Sequence, residues 1–339
     1  MIRESILKVI DGQHLSFEES TDVMNKIMSG KVDDNLIASL LTGLKTKGEA
    51  SSEIGGFAKA MRDNGIKIKC DTSNTVDVCG TGGDNSGTFN ISTAASFIVA
   101  GAGVNVAKHG NRSISSTSGS SDVLTELGVN INLTPEQSER ALKEIGITFL
   151  FAPLYHPAMK HVANVRRNLG FKTIFNMLGP LTNPAGTKKQ LIGVFNNDAV
   201  EKMSKALDYL EMERVNFICT DNKYDEVILN GTVKVVEYKQ GEELKTYDIT
   251  SEIFEYENTH LDEIKGNSSA ENAEIILSIL RDKKKTPAYF VVAANAALGL
   301  YSSGYSTNMI ECKKAAEESI DSGRAFKKLN ELKKYSKAV

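Results

Sequence analysis

The amino-acid sequence predicts an α/β protein with a small all-helical N-terminal domain and a larger domain whose mainly parallel central sheet is covered by helices. Three observations support this fold class. Apolar residues recur at helical spacing through the first 66 residues, where β-type alternation is absent. From about residue 75, short apolar runs alternate with helical segments, a pattern typical of parallel sheets. The length of 339 residues suits one large domain with a smaller partner.

The helical domain is expected over residues 1–66. Ser16 is placed to cap a helix, and Glu19 three residues later completes a capping box, in which each side chain bonds the other residue's backbone N–H. Gly30 supplies a C-terminal stop for this helix. The same order of polar cap, apolar stripe and glycine exit recurs in residues 33–48 and 51–65.

The larger domain is expected over residues 67–339, where strands alternate with helices. The residues predicted as strands are 75–79, 104–107, 147–152, 190–195 and 214–220. The helices predicted between them include one of small residues at 92–103 and one with Thr134 as cap and Gln137 closing its capping box. The segment near 160–186 breaks this rhythm with a long helical run, and we expect it to return to the helical domain.

Charge and composition exclude several function classes. The formal net charge is −3, so no global positive field attracts nucleic acid or anionic lipid. No apolar run approaches the roughly 20 residues of a membrane span, and the charged start is unlike a signal peptide. The four cysteines are scattered without a CxxC pair, which argues against a metal finger or disulfide framework. We therefore expect a cytoplasmic protein that binds neither nucleic acid nor membrane.

A glycine-rich turn follows the first predicted strand, in the stretch DVCGTGGDNSGTFNIS (77–92). Gly80 and Gly83 let the backbone approach a ligand closely, and the N–H groups of the turn and of the next helix can converge on an anion. The turn matches neither the Walker loop nor the GxGxxG fingerprint. A flexible strand–helix loop would explain the glycines equally well. The nearby polar side chains, Thr88 and Asn90 among them, favour a ligand site.

A second polar loop follows the next strand, in the stretch KHGNRSISSTSGSSD (108–122). It places Lys108 and Arg112 among six serines, with Gly110 available for close approach. Successive strand–helix loops of a doubly wound sheet lie at the same carboxyl edge, so both polar loops can face one crevice. Two anion-binding loops across one crevice suit a ligand with two separate phosphate groups. A serine-rich surface loop is the alternative, but it does not explain the basic side chains or the first loop.

These motifs resemble the anthranilate phosphoribosyltransferase family of tryptophan biosynthesis. The likeness rests on GTGGD at 80–84, NIST at 90–93, KHGNRSISS at 108–116 and GS at 119–120. It continues through LFAPLYHPAMKHVANVRRNLGFKTIFNMLGPLTNPAG at 150–186 and to the acids Asp225–Glu226, so it covers most of the chain. The resemblance also implies a homodimer formed through the helical domain.

The resemblance implies that anthranilate and phosphoribosyl pyrophosphate (PRPP) react to give phosphoribosyl anthranilate and pyrophosphate, with Mg²⁺ as cofactor. PRPP carries phosphate at both ends of its ribose, which agrees with two anion-binding loops. By resemblance, the residues expected to line the PRPP site are Gly80, Gly83, Asp84, Thr88, Asn90, Ile91, Ser92, Thr93, Lys108, His109, Gly110, Asn111, Arg112, Ser113, Ile114, Ser115, Ser116 and Ser120. Those expected to contact anthranilate are Gly80, Asn111 and Arg166, and those expected to hold the metal are Ser92, Asp225 and Glu226.

The acid pair Asp225–Glu226 is a weak signal by itself, since adjacent acids are common on solvated loops. Neighbouring side chains of a strand point to opposite faces, so both acids can serve one site only from a turn. Mg²⁺ needs one or two carboxylates besides water and substrate oxygens, which this pair supplies. The chain departs from the family here, because Lys223–Tyr224 stand where the family usually has Gly-Leu. That departure puts the backbone conformation of the loop in question.

Other basic side chains near the motifs have separate interpretations. Arg166 suits the carboxylate of an aromatic acid through charge-assisted hydrogen bonds, whereas Arg167 is expected on the helix surface. His156 and His161 are five residues apart, a poor fit to one helix face, so a zinc site is not expected. His109 is expected to shape the acceptor pocket. No dedicated general base is expected, since the aniline nitrogen is already a neutral nucleophile.

Two other functions remain open from the sequence. A pyrimidine-type nucleoside phosphorylase shares the architecture, and an assay with thymidine and phosphate would distinguish it. A non-catalytic relative that binds nucleic acid would show salt-dependent retention on DNA.

Overall fold

The computed structural model describes residues 2–84, 86–112 and 118–338. Its helices are α1 Ile2–Ile10, α2 Phe17–Met28, α3 Asp34–Lys47, α4 Ser51–Asn64, α5 Ile91–Gly101, α6 Ser120–Glu126, α7 Pro135–Ile145, α8 Ala152–Tyr155, α9 Lys160–Leu169, α10 Phe175–Leu178, α11 Asn197–Ala206, α12 Ser269–Leu280, α13 Pro287–Ser303, α14 Met309–Asp321 and α15 Arg324–Ala338. Its strands are β1 Thr75–Gly80, β2 Asn105–Gly110, β3 Ile147–Phe151, β4 Lys189–Gly193, β5 Arg214–Thr220, β6 Val233–Lys239 and β7 Lys245–Ile249. Within the described part of the chain, no helix combines the length and apolar character needed to cross a bilayer.

Helices α1 to α4 form an N-terminal helical layer. The capping box of α2 is present: the Ser16 hydroxyl accepts the Glu19 N–H at 3.1 Å, and the Glu19 carboxylate accepts the Ser16 N–H at 2.9 Å. The apolar stripe of this helix, which includes Val23 and Ile27, is fully buried. Burial of such side chains contributes about 2 kcal/mol each. The apolar face that the sequence pattern predicts for α2 is therefore part of the core of this layer.

Helices α9 and α10 lie in the segment that was expected to return to the helical domain. Val162 of α9 and Phe175 of α10 are buried in the same core as the first four helices. The segment is not one long helical run, however. Gly170 has a φ of +66° and ends α9, because its left-handed conformation stops the helix.

The strands form one sheet in the order β3-β2-β1-β4-β5-β6-β7. The first five strands are parallel, and the β6–β7 hairpin adds an antiparallel edge. The mainly parallel sheet predicted from the sequence is confirmed. The strand order reverses at β1, so a crevice opens at the carboxyl ends of β1 and β4, the usual place for a ligand in such sheets. Gly80 and Gly193 pair in register where these two strands end.

Strand β2 is longer than predicted. It pairs with β3 from Val106 opposite Ile147 to Gly110 opposite Phe151, so the ladder extends beyond the predicted end at residue 107. Lys108 and His109 therefore belong to a strand and not to the following loop. Their backbone direction is fixed by the sheet.

The two faces of the sheet carry different cores. One face packs against α5, α12 and α13, with Val78, Phe97 and Val292 among the buried residues. The other face shares a core with the helical layer, in which Phe217 of β5 and Phe57 of α4 belong to one cluster. The helical layer is thus packed directly onto the sheet, close to the crevice.

Candidate active site

The glycine-rich turn leaves β1 at the crevice. The N–H of Thr81 donates to the carbonyl oxygen of Gly193 at 2.9 Å. Gly82 and Gly83 have φ values of +65° and +71°, which glycine adopts without strain. The N–H of Gly82 donates to Oδ2 of Asp225 at 2.7 Å. The turn is therefore held between the end of β4 and the acid pair.

Asp84 organises the second half of this turn. Its Oδ1 accepts the Ser86 N–H at 3.1 Å and the Ser86 hydroxyl at 2.9 Å, and that hydroxyl lies 2.9 Å from the hydroxyl of Thr88. Oδ2 of Asp84 is buried and has no hydrogen-bond partner among the described residues. A buried carboxylate oxygen without a donor is costly, so this atom is suited to a cation or to a donor on a ligand.

The turns that follow β1 and β2 meet at the same edge of the sheet. Nδ2 of Asn90 donates to the carbonyl oxygen of Ser118 at 3.2 Å, and the Ser118 hydroxyl donates to Oδ1 of Asn90 at 3.3 Å. Asn272 of α12 donates a further bond to that oxygen at 2.9 Å. Four of the predicted PRPP residues lie outside the described residues: Ser113, Ile114, Ser115 and Ser116.

The start of α6 lies close to the end of β2. The Ser120 hydroxyl donates to the carbonyl oxygen of Asn111 at 3.3 Å. A Cβ atom on Gly110 would lie 2.2 Å from the Ser120 Oγ and 2.6 Å from a ring carbon of Phe149, so a larger residue would displace both side chains. Arg112 is exposed, with its guanidinium carbon 5.9 Å from the centre of the Phe151 ring. The described part of the second loop therefore presents a polar surface to the crevice.

Lys108 lies beneath the glycine-rich turn that follows β1. It is 4% exposed, and its ammonium donates to the carbonyl oxygen of Val78 at 2.7 Å and to the Ser92 hydroxyl at 3.3 Å. Burial lowers the pKa of the Lys108 ammonium. Because Ser92 is in the first turn of α5, the lysine joins β1, β2 and that helix under the crevice.

Asp77, which the sequence reasoning did not select, is a fully buried carboxylate in β1. Its Oδ1 accepts the His109 N–H at 3.3 Å, and its Oδ2 accepts Nδ2 of Asn183 at 2.8 Å and Nε2 of Gln190 at 3.5 Å. Burial raises the pKa of Asp77, and the nearby Lys108 ammonium opposes that rise. An acid inside the apolar run TVDVC was the signal that could have identified it.

The acid pair lies in a bend after β5, so both side chains can face the crevice. Oδ2 of Asp225 bonds the Gly82 N–H, and Oε1 of Glu226 accepts the Ser92 N–H at 3.3 Å. Burial raises the pKa of both carboxyls, and the charge of Asp84 raises that of Asp225 further. A divalent cation would remove this unfavourable interaction between neighbouring carboxylates.

The donor set fits Mg²⁺. This ion is usually bound by one or two carboxylates together with water and substrate phosphates. Among the described residues, no three or more His, Cys, Asp or Glu side chains form a closed metal-binding cluster. An ion bound by Asp225, Glu226 and the Ser92 hydroxyl would still have coordination positions free for phosphate oxygens.

The departure from the family at Lys223–Tyr224 causes no backbone strain. The two residues with left-handed conformations in this turn are Asp221 and Asn222, with φ values of 51° and 55°. Aspartate and asparagine tolerate that region. The turn closes with the Lys223 N–H donating to the Thr220 carbonyl oxygen at 3.0 Å. Glycine is therefore not needed at position 223.

Arg166 and Arg167 are adjacent on α9 and have different environments. The guanidinium carbon of Arg166 lies 5.1 Å from the centre of the Phe175 ring. Burial alone lowers the pKa of Arg166, so no described carboxylate offsets its charge. Arg167 is exposed. Arg166 is the arginine that can bind an anionic ligand at low desolvation cost.

Two buried histidines lie side by side near the crevice. The rings of His109 and His156 are 5.3 Å apart between centroids. Nδ1 of His109 is 3.2 Å from the carbonyl oxygen of Gly179, and Nε2 of His156 is 2.9 Å from that of Thr182. Burial lowers the pKa of His109 to about 3 and lowers that of His156 as well. Both imidazoles are therefore neutral near pH 7.

Lys172 is a cation of this site that the sequence reasoning missed. Its ammonium lies 4.1 Å from the centre of the Phe195 ring, and the Phe195 N–H donates to the Thr81 hydroxyl at 3.2 Å. Burial lowers the pKa of Lys172, while the charges of Asp84 and Asp225 oppose that change. A lysine from the helical side therefore faces the glycine turn.

Comparison with known proteins identifies the family. Residues 3–65 match the model described as "Glycosyl transferase family, helical bundle domain", and residues 72–326 match "Glycosyl transferase family, a/b domain". A protein named anthranilate phosphoribosyltransferase from Thermoanaerobacter sp. (strain X514) is 44% identical over 339 residues, which is 100% of both chains. The chain belongs to the anthranilate phosphoribosyltransferase family. The resemblance stated from the sequence motifs is therefore confirmed.

Solved structures of anthranilate phosphoribosyltransferases share this fold. The crystal structure of the Thermus thermophilus enzyme matches with a TM-score of 0.92 at 38% identity, covering 98% of this chain and 99% of that one. The Saccharomyces cerevisiae enzyme, in complex with PRPP and Mg, matches with a TM-score of 0.91 at 26% identity, covering 100% and 98%. Another structure of the yeast enzyme contains 4-fluoroanthranilate, with a TM-score of 0.89 at 25% identity over the same coverage.

Proposed function

We propose that this protein transfers the phosphoribosyl group of PRPP to the amine of anthranilate, the second step of tryptophan synthesis from chorismate. The observation that carries this proposal is the convergence of two strand–helix turns and a pair of acids on one crevice. The contacts Gly82–Asp225 and Asn90–Ser118 define that convergence. Family membership, and the PRPP, Mg and 4-fluoroanthranilate complexes of the yeast relative, support these substrates.

The two turns bind the two phosphate-bearing ends of PRPP, through the residues predicted from the sequence. Backbone N–H groups and hydroxyls supply neutral donors, while Lys108 and Arg112 supply positive charge. Mg²⁺, held by Ser92, Asp225 and Glu226, neutralises charge on the leaving pyrophosphate. These donors act as the bond from C1 of the ribose to pyrophosphate breaks and the ribosyl centre becomes cationic.

Anthranilate lies on the helical side of the crevice. Arg166 binds its carboxylate through a charge-assisted fork, and Asn111 and Gly80 complete the contacts. The neutral His109 imidazole forms part of the wall of the acceptor pocket and adds no charge there. No base is required before attack, because the aniline nitrogen already carries a free electron pair. Catalysis then depends on holding this nitrogen close to C1 of the ribose.

Assembly, domain division and compartment are further parts of the proposal. The protein forms a homodimer through the helical domain, where Leu7 and Ile10 of α1 are 60% and 65% exposed. The domains divide into residues 1–66 and 67–339. The protein acts in the cytoplasm, in agreement with the free state of Cys70, Cys79, Cys219 and Cys312. Light scattering distinguishes a dimer from a chain of 36.9 kDa.

A fluorescence assay tests the main proposal. Anthranilate fluorescence is expected to fall when PRPP and Mg²⁺ are added to the purified protein, and to stay constant when either is omitted. Phosphorolysis of thymidine without any loss of anthranilate would instead identify a nucleoside phosphorylase.

A further inference from the structure

Helix α13 contacts the loop that carries Asp225 and Glu226, here called the acid loop, through the side chain of Asn295. Asn295 is 1% exposed, and its Oδ1 accepts the Val227 N–H at 3.0 Å. Its Nδ2 donates to the carbonyl oxygens of Val227 at 3.0 Å and of Val291 at 2.8 Å. One amide side chain thus pairs both backbone groups of the residue that directly follows Glu226.

Two other contacts fix the backbone of the same loop. The Thr220 hydroxyl donates to the carbonyl oxygen of Glu226 at 2.6 Å. A Cβ atom on Gly193 would lie 1.6 Å from the carbonyl oxygen of Asp225, so the end of β4 packs directly against the loop. With the backbone held on these sides, the carboxylates of Asp225 and Glu226 are directed toward the glycine turn and the start of α5.

We propose that Asn295 is a positioning residue that sets the direction of the Asp225 and Glu226 carboxylates and thereby the affinity of the crevice for a divalent cation. This inference rests on the proposed function, since it takes both acids as metal ligands. An apolar side chain at position 295 leaves a buried N–H and a buried carbonyl of Val227 without partners. The loop then shifts to satisfy them, and the carboxylates shift with it. Loss of such outer partners typically weakens metal binding 10–100-fold.

The experiment compares Asn295→Leu with Asn216→Leu. Asn216 is also fully buried and donates to the hydroxyl of Ser302 in α13 at 2.9 Å. It lies within β5, before the loop that carries Asp225 and Glu226. Both substitutions remove a buried amide of equal size, so both lower the melting temperature. Only the change at Asn295 removes the partner of Val227.

The readouts are Mn²⁺ binding, followed by electron paramagnetic resonance, and amide hydrogen exchange across residues 225–228. Asn295→Leu is expected to weaken Mn²⁺ binding by about tenfold or more and to accelerate exchange in this segment. Asn216→Leu is expected to leave both unchanged. Asn295→Ser, which retains a hydroxyl, gives an intermediate result if the leucine variant does not fold. Equal Mn²⁺ affinities in the Asn295 variants and the unsubstituted protein would overturn the inference.

A reference variant separates this inference from the proposed function. Asp225→Asn combined with Glu226→Gln is expected to lose Mn²⁺ binding altogether. If it does, while the Asn295 variants bind normally, the positioning role is wrong and the metal assignment stands. If the reference variant itself binds Mn²⁺ normally, the metal assignment is wrong and the role of Asn295 fails with it.

Discussion

The N–H of Gly82 donates a 2.7 Å hydrogen bond to Oδ2 of Asp225, 143 residues further along the chain. This bond joins the turn after β1 to the acid loop after β5. A Cβ atom on Gly80 would lie 2.7 Å from the same oxygen, closer than two such atoms normally approach. The glycine turn and the acid loop therefore have little freedom to move relative to each other.

Gly80→Ala tests this steric constraint. The added methyl group displaces the Asp225 carboxylate or the turn, and we expect kcat/KM for PRPP to fall by about tenfold or more, as for a loss of positioning. Circular dichroism should remain unchanged, because Gly80 is at the end of β1. An unaltered kcat/KM would show that the two parts adjust independently.

The acid pair provides a second prediction. Asp225→Asn with Glu226→Gln keeps the shape of both side chains but removes their charge, so the Mg²⁺-dependent rate is expected to disappear. The measurement is initial rate against Mg²⁺ concentration. Activity that survived with the same Mg²⁺ dependence would refute the metal assignment.

Arg166 and Arg167 form a matched pair of substitutions on one helix. Arg166→Ala is expected to raise the KM for anthranilate by about 10–100-fold, equivalent to the loss of a charge-assisted hydrogen bond of about 1.5–3 kcal/mol, with a much smaller effect on the KM for PRPP. Arg167→Ala, which removes an exposed side chain, should change neither constant. Equal increases in both KM values for Arg166→Ala would contradict its role.

Lys172 is expected to contribute to PRPP binding. Its ammonium is positioned by the Phe195 ring at the edge of the glycine turn, where it can attract the pyrophosphate group. We expect Lys172→Met to raise the KM for PRPP and the inhibition constant of pyrophosphate by about tenfold. The lost interaction should be worth about 1–2 kcal/mol, between the values typical of an exposed ion pair and of a hydrogen bond to a charged group. Lys172→Arg should recover part of the loss, and Lys160→Met, an exposed control on α9, should have no effect. If both constants stay unchanged in Lys172→Met, the lysine serves only to pack on the ring.

The lowered pKa of His109 predicts how the free energy of unfolding depends on pH. Its pKa is about 3 in the folded protein and 6.5 in the unfolded chain, so between these values the unfolded state binds more protons. The stability that the neutral ring contributes is present above pH 6.5 and is lost as the pH falls below it. Between pH 7 and pH 5 the loss is about 2 kcal/mol.

Urea denaturation of the unsubstituted protein and of His109→Gln at both pH values measures this contribution. The free energy of unfolding of the variant should fall by about 2 kcal/mol less over that interval. Buried carboxyls with raised pKa values act in the opposite direction, but they are common to both proteins and cancel in the comparison. An identical pH dependence would mean that the folded protein protonates His109.

Local signals in the sequence predicted most of the framework of the site. The capping boxes at Ser16–Glu19 and Thr134–Gln137 are present as predicted. The five parallel strands were also predicted, because buried β-strands are continuous apolar runs. The β6–β7 hairpin was not predicted. Strand β7 is exposed along most of its length, so its sequence lacks the apolar run of a buried strand and resembles that of a solvated loop.

Other features depend on contacts between distant segments and have no local signature. Lys172 lies between α9 and α10, two residues after Gly170. Only the packing of that segment brings it to the glycine-rich turn after β1. Asn295 lies in a helix of small apolar residues, where nothing nearby in the sequence indicates a partner at Val227. The strand end at Gly110 was also missed, because its pairing with Phe151 was not evident from residues 108–110 alone.

Asp77 sits in the middle of the sheet, yet its hydrogen-bond partners at His109, Asn183 and Gln190 are all translated after it, and the acid loop is translated later still. A nascent chain that has not released residue 226 from the ribosome lacks the carboxylates proposed to hold the cation. Ligands that bind only the completed fold cannot stabilise such an intermediate. PRPP bound in the completed crevice would therefore stabilise the folded chain against unfolding, but it would not assist folding during synthesis.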